Sequence, residues 1–270
     1  MRVTSIGSVP PLASPDADVR IRCFSTGSVR RKRADRGVRR YLADDWSDET
    51  LPVNVFLVEH PDGVCLFDTG QTARATAPGY FPFWYPFFRL ARFELTYEDE
   101  VAQQLGRLGH EVSDVRWIVL SHLHTDHVGG LAPFAGAEVL VSRTEWNDAR
   151  GLGGRLRGYL PQYWPSSARV RLVDFGEPPV GPFAGTHDVA GDGSLVLVPT
   201  PGHTRGHVSL LVRDRSRSFL LGGDAAETAD DLGRAAPVLA DYCKRSDIVF
   251  LATHDARASE LVTGVAERRT

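Results

Sequence analysis

The densest chemical signal in the chain is His122-Leu123-His124-Thr125-Asp126-His127, four side chains of metal-ligating type within six residues. His122 and His124 stand two apart, so in extended backbone their rings share one side and can reach one ion. Asp126 and His127 follow where the chain turns, which can re-aim them at a second ion. Gly129 and Gly130 come next and let the backbone pass close by, because glycine has no Cβ to clash. Imidazole with carboxylate suits zinc first, and also divalent iron, manganese or cobalt. Three later segments repeat the arrangement of an apolar run ending in a candidate ligand. Residues 195–198 lead to Thr200-Pro201-Gly202-His203, residues 219–221 to Gly222-Gly223-Asp224, and residues 248–252 to Thr253-His254. Ligands at strand ends sit on rigid elements, as catalysis requires.

The elements that must carry these residues follow from periodicity. Residues 115–120 form a short apolar run suited to a buried strand, and it delivers the chain to His122. Residues 54–59 and 63–67 read as strands joined by the turn His60-Pro61-Asp62-Gly63, and they end at Asp68-Thr69-Gly70. Further strands are predicted over 138–142, 170–173, 195–198, 208–212, 218–221 and 248–252. Thr96 reads as the N-cap of an amphipathic helix that carries Val101, Leu105 and Leu108. Residues 143–149 and 232–242 read as further helices, residues 150–168 as a long loop, and residues 1–29 as short strands broken by Pro10, Pro11 and Pro15. Strand clusters alternating with helices, and no visible linker, predict one α/β layered domain over 1–270, with sheets inside and helices outside.

Composition excludes several classes. With 31 Lys plus Arg against 34 Asp plus Glu, the net charge of −3 is not the footprint of a nucleic-acid binder. No run approaches a membrane span, and the first residues lack a secretory pattern. Cys23, Cys65 and Cys243 are too few and too scattered for a disulfide framework, which fits the cytoplasm. The basic run at residues 30–40 reads as a solvated loop, with a docking surface for an acidic partner as the other reading. Residues 80–93 crowd Tyr80, Phe81, Phe83, Trp84, Tyr85, Phe87, Phe88 and Phe93 around Pro82 and Pro86. Those rings could wall a channel for an apolar chain, pack a homodimer interface or serve as plain core. Trp146, Tyr159, Tyr163 and Trp164 could line an opposite wall or simply pack.

In order and spacing, His122 to His127, Thr200 to His207, Gly222 to Asp224 and Thr253 to Asp255 resemble the metal-binding motifs of the metallo-β-lactamase superfamily. The resemblance covers roughly residues 50–256. It implies an αββα sandwich holding two divalent metal ions at one edge. By that resemblance His122, His124 and His203 bind the first ion, Asp126, His127 and His254 bind the second, and Asp224 bridges them. It casts Asp68 as the aspartate that orients a ligand histidine, with a turn cap before Thr69-Gly70 as the other reading. It leaves His207 and Ser209 as structural support. It further implies a hydrolase in which a hydroxide shared by two metals attacks a carbonyl, while Asp126 orients it and passes its proton to the leaving oxygen.

Within the superfamily the chain is most similar to N-acyl homoserine lactonases, which implies a small ester or lactone substrate with an apolar chain. One position departs from that pattern. Such lactonases commonly have a tyrosine three residues after the bridging aspartate, where this chain has Glu227. An ionised carboxylate donates no hydrogen bond. Either another donor such as Tyr80 or Tyr163 substitutes, or the substrate is another ester, a thioester or a phosphoester. A mononuclear iron dioxygenase acting on a thiol is the rival from a different class.

Overall fold

The computed structural model describes residues 18–33, 45–82, 90–214 and 217–267. Seven strands make the first sheet: β1 (Arg20–Lys32), β2 (Trp46–His60), β3 (Gly63–Phe67), β4 (Ala91–Glu94), β5 (Val115–Val119), β6 (Glu138–Ser142) and β7 (Arg169–Val173), in the order β4-β1-β2-β3-β5-β6-β7. The second sheet holds β8 (His187–Asp188), β9 (Leu195–Pro199), β10 (Val208–Arg213), β11 (Ser218–Leu221) and β12 (Ile248–Leu251), in the order β12-β11-β10-β9-β8. Strands β3, β5, β6 and β7 run parallel, as do β11 and β12.

The period of two along each strand decides the layers. In the first sheet Phe56, Val58, Cys65, Phe67, Trp117 and Val119 face inward, where they meet Leu195, Leu197, Leu210, Phe219 and Leu251 of the second sheet. Their neighbours Val55, Leu57, Val64, Leu66 and Ile118 face outward, against Val101 and Leu105 of α1 (Val101–Arg107). The outer face of the second sheet packs on α5 (Leu232–Ala235) and α6 (Pro237–Arg245), through Leu232, Leu239 and Cys243. The result is the expected αββα sandwich. Each large side chain taken from water this way contributes about 1.5–3 kcal/mol, and such burial is spread over the inter-sheet core and both sheet–helix layers.

Parallel strands share a C-terminal edge, and this positions the chemistry. β3 ends at Asp68, β5 at Ser121-His122, β11 at Gly222-Gly223-Asp224 and β12 at Thr253-His254, all at the same edge of the sandwich. Loops beyond the carboxyl ends of such strands are where α/β proteins build their sites.

Several expectations change in detail. Arg30, Arg31 and Lys32 belong to strand β1 rather than to a loop; residues 34–44 lie outside the described residues. β1 is one long strand with register shifts between Ser25 and Ser28 and between Arg30 and Lys32. Its prolines at 10, 11 and 15 fall outside the described residues. Thr96 and Asp99 form a capping box around a 3-10 turn, Tyr97–Asp99, and α1 starts only after Glu100. The helix expected over 232–242 is two helices, because Pro237 cannot supply the amide hydrogen bond that would continue α5. The loop expected over 150–168 contains α4 (Gly151–Leu156) and a 3-10 turn, Pro161–Tyr163.

Candidate metal centre

After β5 the chain makes one extended step through His122 and His124. It then enters α2 (Thr125–Val128), a single helical turn whose N-cap is His124. That switch from extended to helical backbone aims Asp126 and His127 away from the first two imidazoles. Gly130 is required here, because a Cβ would stand 2.2 Å from the carbonyl oxygen of Thr69. Gly223 is required on the other side. It adopts φ +52, and a Cβ there would come within 2.7 Å of Ser121 and 2.8 Å of His207.

The ligand atoms converge in three overlapping groups, each within 4.8 Å: His122 with His124 and His203, His122 with His127 and Asp224, and Asp126 with His127 and His254. In the first, His122 Nε2 lies 3.0 Å from His124 Nδ1, which lies 3.1 Å from His203 Nε2. Asp224 spans both triads. Its Oδ2 is 3.5 Å from His203 Nε2, while its Oδ1 is 3.3 Å from His127 Nε2 and 3.5 Å from His254 Nε2. Asp126 approaches His254 Nε2 at 3.8 Å and His127 Nε2 at 4.0 Å.

Two observations show that these residues fit cations. His127 Nε2 and Asp224 Oδ1 are buried yet have no hydrogen-bond partner. Such orphaned atoms are costly unless something else satisfies them. The rear nitrogens, by contrast, are tied. His122 Nδ1 meets Ser121 Oγ at 3.0 Å, and His124 Nε2 donates to the Arg157 carbonyl at 3.1 Å. His127 Nδ1 donates to Asp68 at 2.8 Å, and His254 Nδ1 to the Pro52 carbonyl at 2.8 Å. A ring whose back N–H is held presents its front lone pair in a fixed direction, which is how metal-binding histidines are oriented.

Asp68 sits in the left-handed region at φ 63, which aspartate tolerates better than most residues. Its carboxylate also accepts from the Ser121 amide at 2.7 Å and the Ser121 hydroxyl at 2.8 Å. His207 aims neither nitrogen at the ligand cluster: Nε2 accepts from the Asp224 amide at 3.1 Å and Nδ1 meets Thr200 Oγ1 at 2.9 Å. Thr200 Oγ1 in turn meets Ser209 Oγ at 2.8 Å. His207 thus fixes the backbone that carries Asp224.

The charges follow from the surroundings. Burial and the neighbouring imidazoles hold His122 well below the usual histidine range, and burial with His203 beside it brings His124 down to about 4. Burial brings His207 down to about 3. His127 and His254 go the other way: burial lowers them, but the adjacent Asp224 overcomes it and raises both. Burial would raise Asp224, yet His127 and His254 hold it well below the carboxylate range.

A cleft of about 820 Å³ opens onto His124, Asp126, His203, Asp224 and His254. One wall is Val29, Leu51 and Phe93 from the first sheet, and the other is Phe183, Val238 and Leu239. Glu227 lies on the cleft, where its carboxylate pairs with Arg31 at 2.6 Å. The expected pocket residues fare differently. Tyr80 stacks on Tyr163 with ring centroids 4.5 Å apart, and the Tyr163 hydroxyl donates to the Tyr80 carbonyl. Neither is among the residues lining the cleft. Phe83, Trp84 and Phe87 lie outside the described residues. Trp146 and Trp164 stack on each other at 5.3 Å beneath the first sheet rather than facing the cleft. Sequence reading missed Arg31, whose place on a strand beside the site was hidden by reading the basic run as loop. It also missed Phe183 and the α5–α6 wall, for which no ligand-type residue gave a signal.

The sequence matches the metallo-beta-lactamase superfamily over residues 48–246, and the chain belongs to that superfamily. Among its relatives it is 31% identical over 240 residues to the N-acyl homoserine lactonase AttM of Rhizobium radiobacter, an alignment covering 78% of this chain and 85% of the relative. It is 38% identical over 183 residues to a probable metallo-hydrolase of Mycobacterium tuberculosis, covering 65% of this chain and 57% of that one. Its fold is also that of an N-acyl homoserine lactone hydrolase solved with N-hexanoyl-L-homoserine at its catalytic metal centre. The TM-score is 0.68 at 23% identity, covering 90% of this chain and 96% of that one.

Proposed function

We propose that this protein is a dinuclear metal hydrolase that opens the ester bond of a lactone, with N-acyl homoserine lactones as the substrate class. The observation that carries the reading is the convergence of seven ligand side chains in overlapping groups, with Asp224 offering one oxygen to each triad. The AttM relative and the product-bound structural neighbour support the lactone.

His122, His124 and His203 would hold one ion, Asp126, His127 and His254 the other, with Asp224 between them. Two divalent cations there, zinc by preference for this donor set, would lower the pKa of a shared water and polarise a carbonyl oxygen. Asp126 belongs to the second triad and also lines the cleft, so its carboxylate oxygens can orient the attacking water. It can then hold the proton at Oδ and return it to the alkoxide as the ester C–O bond breaks. Asp68, through Ser121 and His127, keeps the ligand loop in register. The apolar walls exclude water from an acyl chain while the head group meets the ligands.

Glu227 favours a second reading, hydrolysis of another ester, a thioester or a phosphoester. Its carboxylate is engaged by Arg31, and it donates nothing to a substrate carbonyl. The deciding experiment is a pH-indicator assay of the metal-loaded protein on lactones of short and long acyl chain, beside an aryl ester, a thioester and an aryl phosphate. Lactones are expected to be opened fastest, with one acid released per turnover. Faster cleavage of the phosphate or thioester than of every lactone would replace the lactonase reading with the second one.

The reading takes residues 1–270 as one domain, supported by an inter-sheet core drawn from both halves of the described chain. It places the protein in the cytoplasm, supported by three unpaired cysteines. No helix among the described residues is long and apolar enough to cross a membrane. The aromatic crowding of residues 80–93 supports pairing of two copies, which sedimentation velocity tests directly.

A further inference from the structure

Glu145 lies in α3 (Arg143–Asp148), a short helix capped by Ser142, and its side chain has no exposure to solvent. A buried carboxylate is costly unless hydrogen bonds satisfy it. Here the donors come from three separate segments. Oε1 accepts from the Leu123 amide at 3.0 Å and the Tyr159 hydroxyl at 2.8 Å, and Oε2 accepts from the Thr204 hydroxyl at 2.7 Å. Leu123 is the residue between His122 and His124, and Thr204 immediately follows His203. Tyr159 packs its ring 5.0 Å from that of His124. The approach is tight enough to demand glycine at 206, where a Cβ would stand 2.1 Å from the Glu145 backbone nitrogen.

We propose that Glu145 is a positioning residue that clamps the two ligand loops of the first triad, fixing the separation of His122 and His124 from His203. The inference rests on the metal reading given above. Glu145 is outside all three ligand groups, and its oxygens are engaged by protein donors. A carboxylate suits the task because both of its oxygens accept, whereas an amide accepts at only one. No hydrogen bond of Glu145 reaches Asp126, His127 or His254, so the clamp serves one triad and leaves the other alone.

The test is chelator titration of the full, zinc-loaded chain, with zinc per chain counted by elemental analysis and folding followed by circular dichroism. Wild type is expected to release two ions. In Glu145→Gln one ion should be lost at about 10- to 100-fold lower chelator concentration while the other is released as in wild type. Combined with His254→Ala, which removes an imidazole of the other triad alone, the two losses should fall on different ions and add. Thr204→Val removes only the His203-side bond and should show a smaller loss of the same ion. It serves as the decisive variant if the glutamine substitution does not fold. Folded Thr204→Val and Glu145→Gln proteins that release both ions as wild type does would overturn the clamp, as would losses that fall on the same ion as in His254→Ala. A wild-type chain that takes up no zinc overturns the metal reading and the clamp together. A wild type holding two ions beside an unchanged Glu145→Gln overturns the clamp alone.

Discussion

The two triads share an edge of the sandwich but are built differently. His122, His124 and His203 are imidazoles facing imidazoles, and His203 opens to the cleft with 35% of its side chain exposed. Asp126, His127 and His254 mix imidazole with carboxylate, and both histidines are buried. In the first triad burial and like neighbours push His122 and His124 down, which favours their neutral form. In the second, Asp224 stands against His127 and His254 and raises both, so these rings bind a proton more readily than free imidazole does. The difference teaches that one site is preformed as neutral donors. In the other, carboxylate and imidazole attract each other, so proton and metal compete more closely for the same nitrogens.

The strongest way to break the comparison is at the shared residue. Asp224→Ala should cost both triads, with fewer than two ions per chain and lactone turnover lowered by at least about a thousandfold, the several kcal/mol a metal site supplies. Unchanged metal content by elemental analysis would contradict the bridge. Next come the separate ligands. His203→Ala and His254→Ala should each leave about one ion per chain. A double substitution that still holds one ion would show that the triads do not divide the ligands as drawn. Smaller is Asp68→Asn, which weakens the hold on the back of His127 directly and on His122 only through Ser121. About a 10- to 100-fold weaker affinity is expected for the ion at His127, with a smaller change at the other. Equal weakening of both ions would erase the distinction between the triads.

The smallest effect is on the stability of the chelated, metal-free protein against pH. His124 has a folded pKa of about 4 against an ordinary 6.5, so the unfolded chain takes up its proton first. Its contribution is present above about pH 6.5 and fades as pH falls toward 4. His254, raised above its ordinary 6.5, contributes below that value and loses the contribution as pH rises through its folded pKa. Thermal melts should therefore show His124→Asn flattening the acid side of the profile and His254→Asn flattening the neutral-to-alkaline side. A common effect of both variants on one side would refute the opposite signs.

Much of this site was legible without coordinates. The spacing of His122, His124, Asp126 and His127 after a buried strand, and three more strands ending at His203, Asp224 and His254, singled out the seven side chains that the structure brings together. Residues 54–59 and 63–67 read as strands and the apolar run over 115–120 as a buried one, and the structure buries alternate residues of these strands on each side of the first sheet. These signals are local. A period of two, or ligands two residues apart, is a property of neighbouring residues that the backbone turns directly into direction.

What the chain alone did not reveal was the company that distant segments keep. Glu145 looked like an ordinary helix residue until Leu123, Tyr159 and Thr204 were seen to donate to it. Arg31 looked like part of a solvated run until β1 carried it to Glu227. Tyr80 and Tyr163 looked like a pocket wall until they were found stacked on each other. Sequence determined the ligand types, the strands that deliver them and the layered class. Only the tertiary structure decided the supporting contacts and the walls of the cleft, because those depend on which strands pair across long separations and no local periodicity encodes that choice.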